Sequence, residues 1–274
     1  MIHFRKYSFV YIYLALSILF AASVYTIIRR FEHQYIFKTY REETLKRKSL
    51  IEAHILENIS TLKIVKAYIQ KNRSISRFEF SNIVSPIVES NQSIQAIEWV
   101  PKVGLAERKE YETKAKIDGF GSFYFKEFDK KRNITSVSSR EFYYPIYYIE
   151  PLASNENALG FDLSTRSFTQ EKLKPIIEKY GLAFTDDINL IQDSLEYGFG
   201  VYFPVYGVND ESGSCKKDIA GFVACIYKTS VLIKHVLNEF PQDYTVQIYS
   251  KTDSLNEKLL YSLIPSGNKP LLEK

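Results

Sequence analysis

Carboxylates and hydroxyls are the side chains of this sequence whose types suit chemistry on a substrate. Two carboxylates can work together as general acid and general base, and the candidates are Glu98, Asp162, Asp186 and Asp187. A hydroxyl can attack a substrate when a neighbouring base takes its proton, and the candidates are Ser138, Ser139 and Thr185. Histidine is the usual base, but the four histidines, His3, His33, His54 and His235, lie far from these residues in sequence. The pattern predicts that the chain is not an enzyme.

Motifs for metals and cofactors are also absent from the sequence. The histidines show no metal-ligand spacing, and there is no phosphate loop, GxSxG, HExxH or dinucleotide fingerprint. We therefore expect no cofactor and no metal. Cys215 and Cys225 are the two cysteines. They form one disulfide if the domain is extracytoplasmic, or Cys225 is a buried free thiol in a strand, and the sequence leaves both readings open.

The N-terminal segment 7–28 carries no charged residue. A helix of this length rises about 33 Å, which matches a bilayer hydrocarbon core of about 30 Å, so a transmembrane helix is predicted. A cleaved signal peptide is the alternative, because Arg5 and Lys6 precede the segment and Ala21-Ala22-Ser23 resembles a cleavage site. The apolar run continues past that site to Arg29, which favours an uncleaved anchor.

Positive charge is concentrated beside this segment. Residues 29–73 carry a net charge of +6 and the first 28 residues +2, so the chain from residue 74 onward carries −4 of the total +4. This distribution favours contact with anionic membrane lipids and disfavours nucleic-acid binding, which would need a basic folded domain. Basic residues flank both ends of the span, so their bias does not fix its orientation.

A long helix is predicted after the span, because no glycine precedes Gly104 and no proline precedes Pro86. Its second half carries apolar residues at heptad spacing with one polar position among them, which predicts a parallel homodimer through a seam. The seam consists of Ile51, Ile55, Asn58, Leu62, Val65 and Ile69. A second apolar stripe, Leu56, Ile59 and Ile64, leaves open that the helix packs on its own domain.

Short strands and helices alternate in the remainder of the chain. Residues 95–103, 122–128, 141–150, 184–191, 200–207 and 218–228 resemble strands, and residues 107–119, 167–181 and 230–240 resemble helices. Two further strands are predicted near the C-terminus. Without βαβ repeats around a phosphate loop, the pattern favours an antiparallel α+β fold.

The order of these segments resembles the CHASE domain, the extracytoplasmic ligand sensor of membrane histidine kinases and nucleotide cyclases. The resemblance rests on AIEWVPKV, REFYYPIYYIEP, ALGFDLST, GLAFTDDINLIQ, GVYFPVY and AGFVACIYKTSVLI, which occur in the family's order. It implies a stalk helix leading into two PAS-like antiparallel subdomains. The expected domains are 1–30 for a cytoplasmic tip and span, 31–75 for the stalk, and 76–274 for the sensor, with 76–205 membrane-distal and 206–274 membrane-proximal.

The resemblance also implies a small-molecule site in the distal subdomain. In the cytokinin receptors of this family, the aspartate of the segment matching ALGFDLS contacts the ligand, and that position here is Asp162. Alternating aromatic residues can form an apolar wall beside such a carboxylate. The expected wall is Tyr144, Phe161, Phe184 and Thr185. The alternatives are that the aromatic residues belong to the sheet core and that Asp162 caps a strand end or turn.

Family members normally continue into a second membrane helix and a histidine kinase or diguanylate cyclase, so we expect that output to lie outside this sequence. The expected location is the cytoplasmic (inner) membrane, with one N-terminal pass and the sensor in the periplasm. A coiled-coil membrane scaffold without a ligand is the alternative function. Ligand-linked stabilisation of the folded domain distinguishes the two.

Overall fold

The computed structural model describes residues 8–72, 74–165, 181–189, 197–207, 219–238, 245–253 and 256–263. The chain divides into two compact units, residues 1–52 and 53–274. One helix, α1 (Ser8–Lys71), supplies residues to both units. Its bounds confirm the long helix that the lack of glycine and proline predicts.

In the first unit, every described residue belongs to α1. The large apolar side chains between Phe9 and Ile28 are exposed, and α1 is long and apolar enough to cross a membrane by length and composition. Beyond them the helix surface carries i,i+3 and i,i+4 ion pairs, each worth about 0.3–0.5 kcal/mol. These pairs are Arg29–Glu32, Lys38–Glu42, Glu43–Arg47 and Lys48–Glu52.

The second unit adds three further described α-helices to the end of α1. Helix α2 (Arg77–Ser90) begins with a capping box, in which Ser76 and Glu79 exchange hydrogen bonds with each other's backbone amides. Helix α3 (Arg108–Ile117) ends before Gly119, whose φ of 100° suits glycine. Helix α4 (Thr229–Leu237) buries Leu232, Ile233 and Val236 among its apolar residues.

Eleven strands are described in the second unit, and all strand pairs are antiparallel. They are β1 (Ile94–Pro101), β2 (Val103–Gly104), β3 (Lys126–Phe128), β4 (Ile134–Ser136), β5 (Phe142–Tyr143), β6 (Tyr148–Glu150), β7 (Ala183–Asn189), β8 (Tyr197–Tyr206), β9 (Ile219–Lys228), β10 (Val246–Asp253) and β11 (Asn256–Leu263). The α+β class and the antiparallel sheets are confirmed.

The main sheet has five strands in the order β6-β1-β9-β8-β7. Its centre is apolar, and in the register Trp99 of β1 lies opposite Val223 of β9 and Tyr148 of β6. Helix α2 packs on β1 and β6, where Phe80 and Tyr148 bring their ring centroids to 5.6 Å. Burial of these side chains supplies the main favourable free energy of folding.

The expected division of the sensor at residues 205/206 falls within the last residues of β8. Strand β9 follows that boundary in sequence but lies between β1 and β8, which precede it. Because hydrogen bonds join β9 to both neighbours, the boundary does not separate two sheets. The hairpin of β10 and β11 forms a separate two-stranded sheet.

One local prediction changes, and one of the two alternatives for Cys225 is observed. The segment 141–150 is divided into β5 and β6, because Pro145 lacks the N–H that a continuous ladder requires. Cys225 is a free thiol buried in β9, and burial raises the pKa of that thiol well above its usual range. Cys215 and the helix predicted at 167–181 lie outside the described residues, except for Gly181.

Candidate functional site

The segment that carries Asp162 lies between two other parts of the chain. On one side Gly160 and Phe161 exchange hydrogen bonds with Ile146, at 2.8 Å and 3.0 Å. On the other side the Asp162 amide donates to the Lys126 carbonyl at 2.8 Å, and the Lys126 amide donates to Gly160 at 2.9 Å. Backbone hydrogen bonds therefore fix Asp162 from both sides, although its segment belongs to none of the named sheets.

Glycine is required at position 160 for two reasons. Its φ is 80°, a region that other residues rarely adopt. A Cβ at this position would lie 2.5 Å from the Tyr124 carbonyl oxygen. The close approach of these two backbone segments thus depends on Gly160 and sets where Asp162 lies.

The Asp162 side chain is fully buried, and its carboxylate accepts hydrogen bonds from its own chain. Oδ1 accepts from the Tyr144 amide at 2.8 Å and from the Ser164 amide at 3.0 Å. Oδ2 accepts from the Ser164 hydroxyl at 2.7 Å and from Arg140 Nη1 at 3.0 Å. This pattern is that of a turn former that also holds a cation.

Arg140 joins this carboxylate to the β3–β4 hairpin. Its Nη1 also donates to the Ser164 hydroxyl at 3.0 Å, and its Nη2 donates to the Glu127 carboxylate and to the Ser138 hydroxyl. Burial of Glu127 raises the pKa of its carboxyl, but bonds from Ser138 and Arg140 outweigh that effect, so the pKa lies below its usual range. Two acidic residues therefore hold one guanidinium in a fixed position.

A cleft of about 730 Å³ lies on the solvent side of this network. Phe142 is 39% exposed, and the Lys102 ammonium lies 4.0 Å from its ring centroid. The cleft combines two aromatic rings with acidic and basic groups, and its volume is in the range of small-molecule sites. Its lining residues are Glu127, Phe128, Asp129, Lys130, Thr135, Arg140, Phe142 and Ser164.

The expected ligand residues separate into two groups. Asp162, Phe161 and Tyr144 come together, but the two rings are buried, with Phe161 at 4.7 Å from Phe128 and Tyr144 at 5.8 Å from Phe222 between centroids. Phe184 and Thr185 lie on β7 at the edge of the main sheet, where Phe184 is 47% exposed and pairs with Val201. The Thr185 side chain lies outside the described residues.

Sequence reasoning missed Arg140 and Glu127. The spacing of Asp162 and Ser164 was a usable signal, because an aspartate with a serine two residues later is typical of a turn in which the side chain accepts a backbone hydrogen bond. Arg140 offered no such signal, since it precedes Asp162 by a long, tyrosine-rich segment. Its pairing depends on the fold.

Three positions of the predicted dimer seam are covered by their own domain. Leu62, Val65 and Ile69 are each 1% exposed and belong to the core of their own domain. Ile55 packs against that core, and Asn58 accepts a hydrogen bond from Asn91 Nδ2 at 2.6 Å. A partner subunit cannot reach side chains that the domain already covers. Ile51, the remaining seam residue, is partly exposed.

The second apolar stripe is exposed at two of its three positions. Leu56 is 62% exposed and Ile64 69%, whereas Ile59 is buried. At about 100° per residue, Leu56 and Ile64 lie on the side of α1 opposite Leu62 and Ile69. The helix thus packs on its own domain with one face and leaves another face in solvent.

The described residues contain no group of three or more histidine, cysteine, aspartate or glutamate side chains arranged to hold a metal ion.

Comparison with protein families gives one match: the family model of the CHASE domain covers residues 73–261, which is more than half of the chain. No curated protein matches the chain. CHASE is a sensory domain, not a catalytic one, and it is extracytoplasmic in membrane receptors. This chain belongs to the CHASE domain family.

Proposed function

We propose that this chain is the extracytoplasmic, ligand-sensing part of a receptor in the cytoplasmic membrane. The observation that carries the proposal is the CHASE match over residues 73–261 in a chain whose N-terminal helix is long and apolar enough to span a bilayer. A bound small molecule changes the domain, and α1, which contributes core residues to it, passes the change toward the membrane. The output is a histidine kinase or a diguanylate cyclase.

The cleft beside Arg140 is the proposed ligand site. The ligand is a small, partly apolar molecule with N–H or O–H donors. Phe142 and Phe128 offer ring surface, and Glu127 Oε2, which accepts from Arg140, has a second lone pair for a ligand donor. Asp162 acts from behind the cleft by positioning Arg140, since its own oxygens already accept four hydrogen bonds. This role replaces direct ligand contact by Asp162, Phe161 and Tyr144.

A melting screen tests the ligand site. The full chain in lipid nanodiscs is melted with a library of small metabolites, and unfolding is followed through the single tryptophan, Trp99, which lies in the main sheet. A true ligand at about 100 times its Kd stabilises the fold by about 2.7 kcal/mol. Phe142→Ala should abolish the shift, while Phe78→Ala, which removes a 74% exposed ring on α2, should keep it.

A compound that stabilises Phe142→Ala as strongly as the unchanged chain binds elsewhere. If no compound in a broad library raises the Tm, the ligand-free scaffold is favoured over the sensor. Both outcomes are readable because Phe142 is partly exposed and its loss leaves the core intact.

The proposed homodimer uses the exposed face of α1. We define the exposed stripe as Leu56, Ser60, Ile64 and Ala67, all exposed to solvent and on one side of the helix at about 100° per residue. Small residues alternate with large apolar ones, which lets two helices approach closely and interdigitate. Full burial of Leu56 and Ile64 in each subunit stabilises by about 1.5–3 kcal/mol per side chain.

Disulfide cross-linking tests this face. In a chain with both native cysteines replaced, Ser60→Cys should give a covalent dimer on mild oxidation, because symmetry brings the two copies of position 60 together. Thr61→Cys, at a partly exposed position turned by about 100° from Ser60 and away from the stripe, is the matched control. Adding Leu56→Glu and Ile64→Glu should abolish the Ser60→Cys dimer, and an equal yield from both cysteine positions would contradict the interface.

A further inference from the structure

Two of the four histidines come together in the second unit. His54 lies on α1 and His235 in the last turn of α4. Their ring centroids are 5.4 Å apart, and the ring planes are nearly perpendicular at 87°. His235 is exposed and His54 is partly exposed, so solvent and solutes reach the pair. The ligand cleft described above is lined by other residues and does not involve either histidine.

The ring separation fits a shared metal ion. A zinc–nitrogen bond is about 2.0–2.1 Å, and each ring centroid lies about 1.1 Å behind its nitrogen, so the metal lies about 3.2 Å from each centroid. Two such rings on one tetrahedral ion have centroids about 5.2 Å apart. The observed centroid separation of 5.4 Å is close to this value, so the two helices are suitably spaced for such an ion once each ring turns one nitrogen toward it.

The chemistry of the pair also selects the ion. Neutral imidazole binds Zn²⁺, Cu²⁺ and Ni²⁺ well and binds Mg²⁺ and Ca²⁺ poorly. Within the described part of the chain, no third histidine, cysteine or carboxylate completes a metal-ligand group. Water fills the remaining positions, which is typical of an exchangeable site and not of a structural zinc site with four protein ligands.

We propose that His54 and His235 bind a divalent transition-metal ion, Zn²⁺, Cu²⁺ or Ni²⁺, and thereby join α1 to α4. Helix α4 follows directly on β9, which lies between β1 and β8 in the main sheet. An ion held by both histidines therefore links the long helix to the centre of the sensory domain. The site makes the position of α1 responsive to metal, independently of any ligand in the cleft.

Calorimetric titration of ZnCl₂ into the full chain in nanodiscs tests the proposal. The chain carries no polyhistidine tag, and His3 is replaced by alanine because an amino-terminal Xaa-Xaa-His sequence can itself chelate Cu²⁺ and Ni²⁺. One Zn²⁺ per chain should bind and raise the Tm by several degrees. His54→Gln and His235→Gln should each weaken binding at least tenfold, whereas His33→Gln, on α1 in the first unit, should leave it unchanged.

A second readout reports the ligands directly. Cu²⁺ bound to the His3-replaced chain should show hyperfine splitting from two nitrogens in its electron paramagnetic resonance spectrum. Either glutamine variant should reduce this to the pattern of one nitrogen, and the variant that lacks both histidines should lose it. Melting without metal shows whether each variant is folded, and alanine at the same position serves if a glutamine variant is not. Absence of binding, or binding that survives loss of both His54 and His235, would overturn the proposal.

Discussion

Replacement of Asp162 separates a positioning role from direct ligand contact. In Asp162→Asn, Oδ1 can still accept from the Tyr144 and Ser164 amides. The new amide group, however, faces Arg140 Nη1 and the Ser164 hydroxyl in place of Oδ2. The amide N–H of the asparagine then faces the Arg140 guanidinium, which is also a donor and is positively charged, in a buried position. Asp162→Ala removes all four acceptor contacts at once.

The size of the effect follows from burial. Removing one partner of a buried ion pair costs about 3–5 kcal/mol. Arg140 keeps Glu127 and its side chain is 24% exposed, so the lower end, about 3 kcal/mol, applies to Asp162→Asn. In Asp162→Ala the buried Tyr144 amide also loses its acceptor, which adds about 1–3 kcal/mol. At about 2–4 °C per kcal/mol, Asp162→Asn should lower the Tm by about 6–12 °C.

Urea and thermal unfolding measured through Trp99 fluorescence provide the assay. Asp129→Asn is the matched control, because Asp129 accepts amide hydrogen bonds in the exposed turn between β3 and β4. It should shift the Tm less than either Asp162 variant. If Asp162→Asn melts like the unchanged chain while a compound found in the screen loses affinity, Asp162 contacts the ligand and the positioning role is wrong.

Two further predictions concern stability. Leu62→Ala should lower the free energy of unfolding by about 2–5 kcal/mol because it leaves a cavity in the core. Ile64→Ala, two residues away on the exposed face, should cost less than about 1 kcal/mol in urea unfolding of the monomer. Equal costs would contradict the assignment of the buried and exposed faces. Because the pKa of Glu127 is depressed in the folded chain, its carboxylate stabilises the fold above pH 4.5, the pKa in the unfolded chain. This stabilisation is lost as the pH falls through the pKa of the folded chain. Glu127→Gln should therefore lose less stability than the unchanged chain between about pH 7 and about pH 3.5, and parallel losses would refute this linkage.

The stalk helix shows which features could be predicted from the sequence and which could not. Helix α1 follows from the lack of glycine and proline, and periodicity reveals apolar stripes on more than one face. Leu62 and Ile64 are equally apolar, yet one is buried and the other exposed. Periodicity identifies a face but does not say whether the chain's own domain or a partner covers it. That information comes from the sheet, whose strands are distant in sequence.

The role of Asp162 could likewise not be decided from the sequence. An aspartate after an apolar segment predicts either a ligand contact or a turn, and these alternatives differ only in what surrounds the carboxylate. Arg140 and Tyr144 approach Asp162 because Gly160 permits backbone contact with Tyr124. A sequence shows that Gly160 is present but not which carbonyl lies beside it. The α+β class, by contrast, follows from patterns within single segments.

Cysteine labelling in intact cells shows on which side of the membrane the folded domain lies. A cysteine placed at Ser122, an exposed position before β3, is introduced into a chain whose native Cys215 and Cys225 are replaced. Intact bacterial cells that express the chain are treated with a membrane-impermeant maleimide. If the CHASE domain is an extracytoplasmic sensor, the cysteine at position 122 reacts in intact cells as fully as in lysed cells. Reaction only after lysis would place the domain in the cytoplasm and contradict the extracytoplasmic sensor.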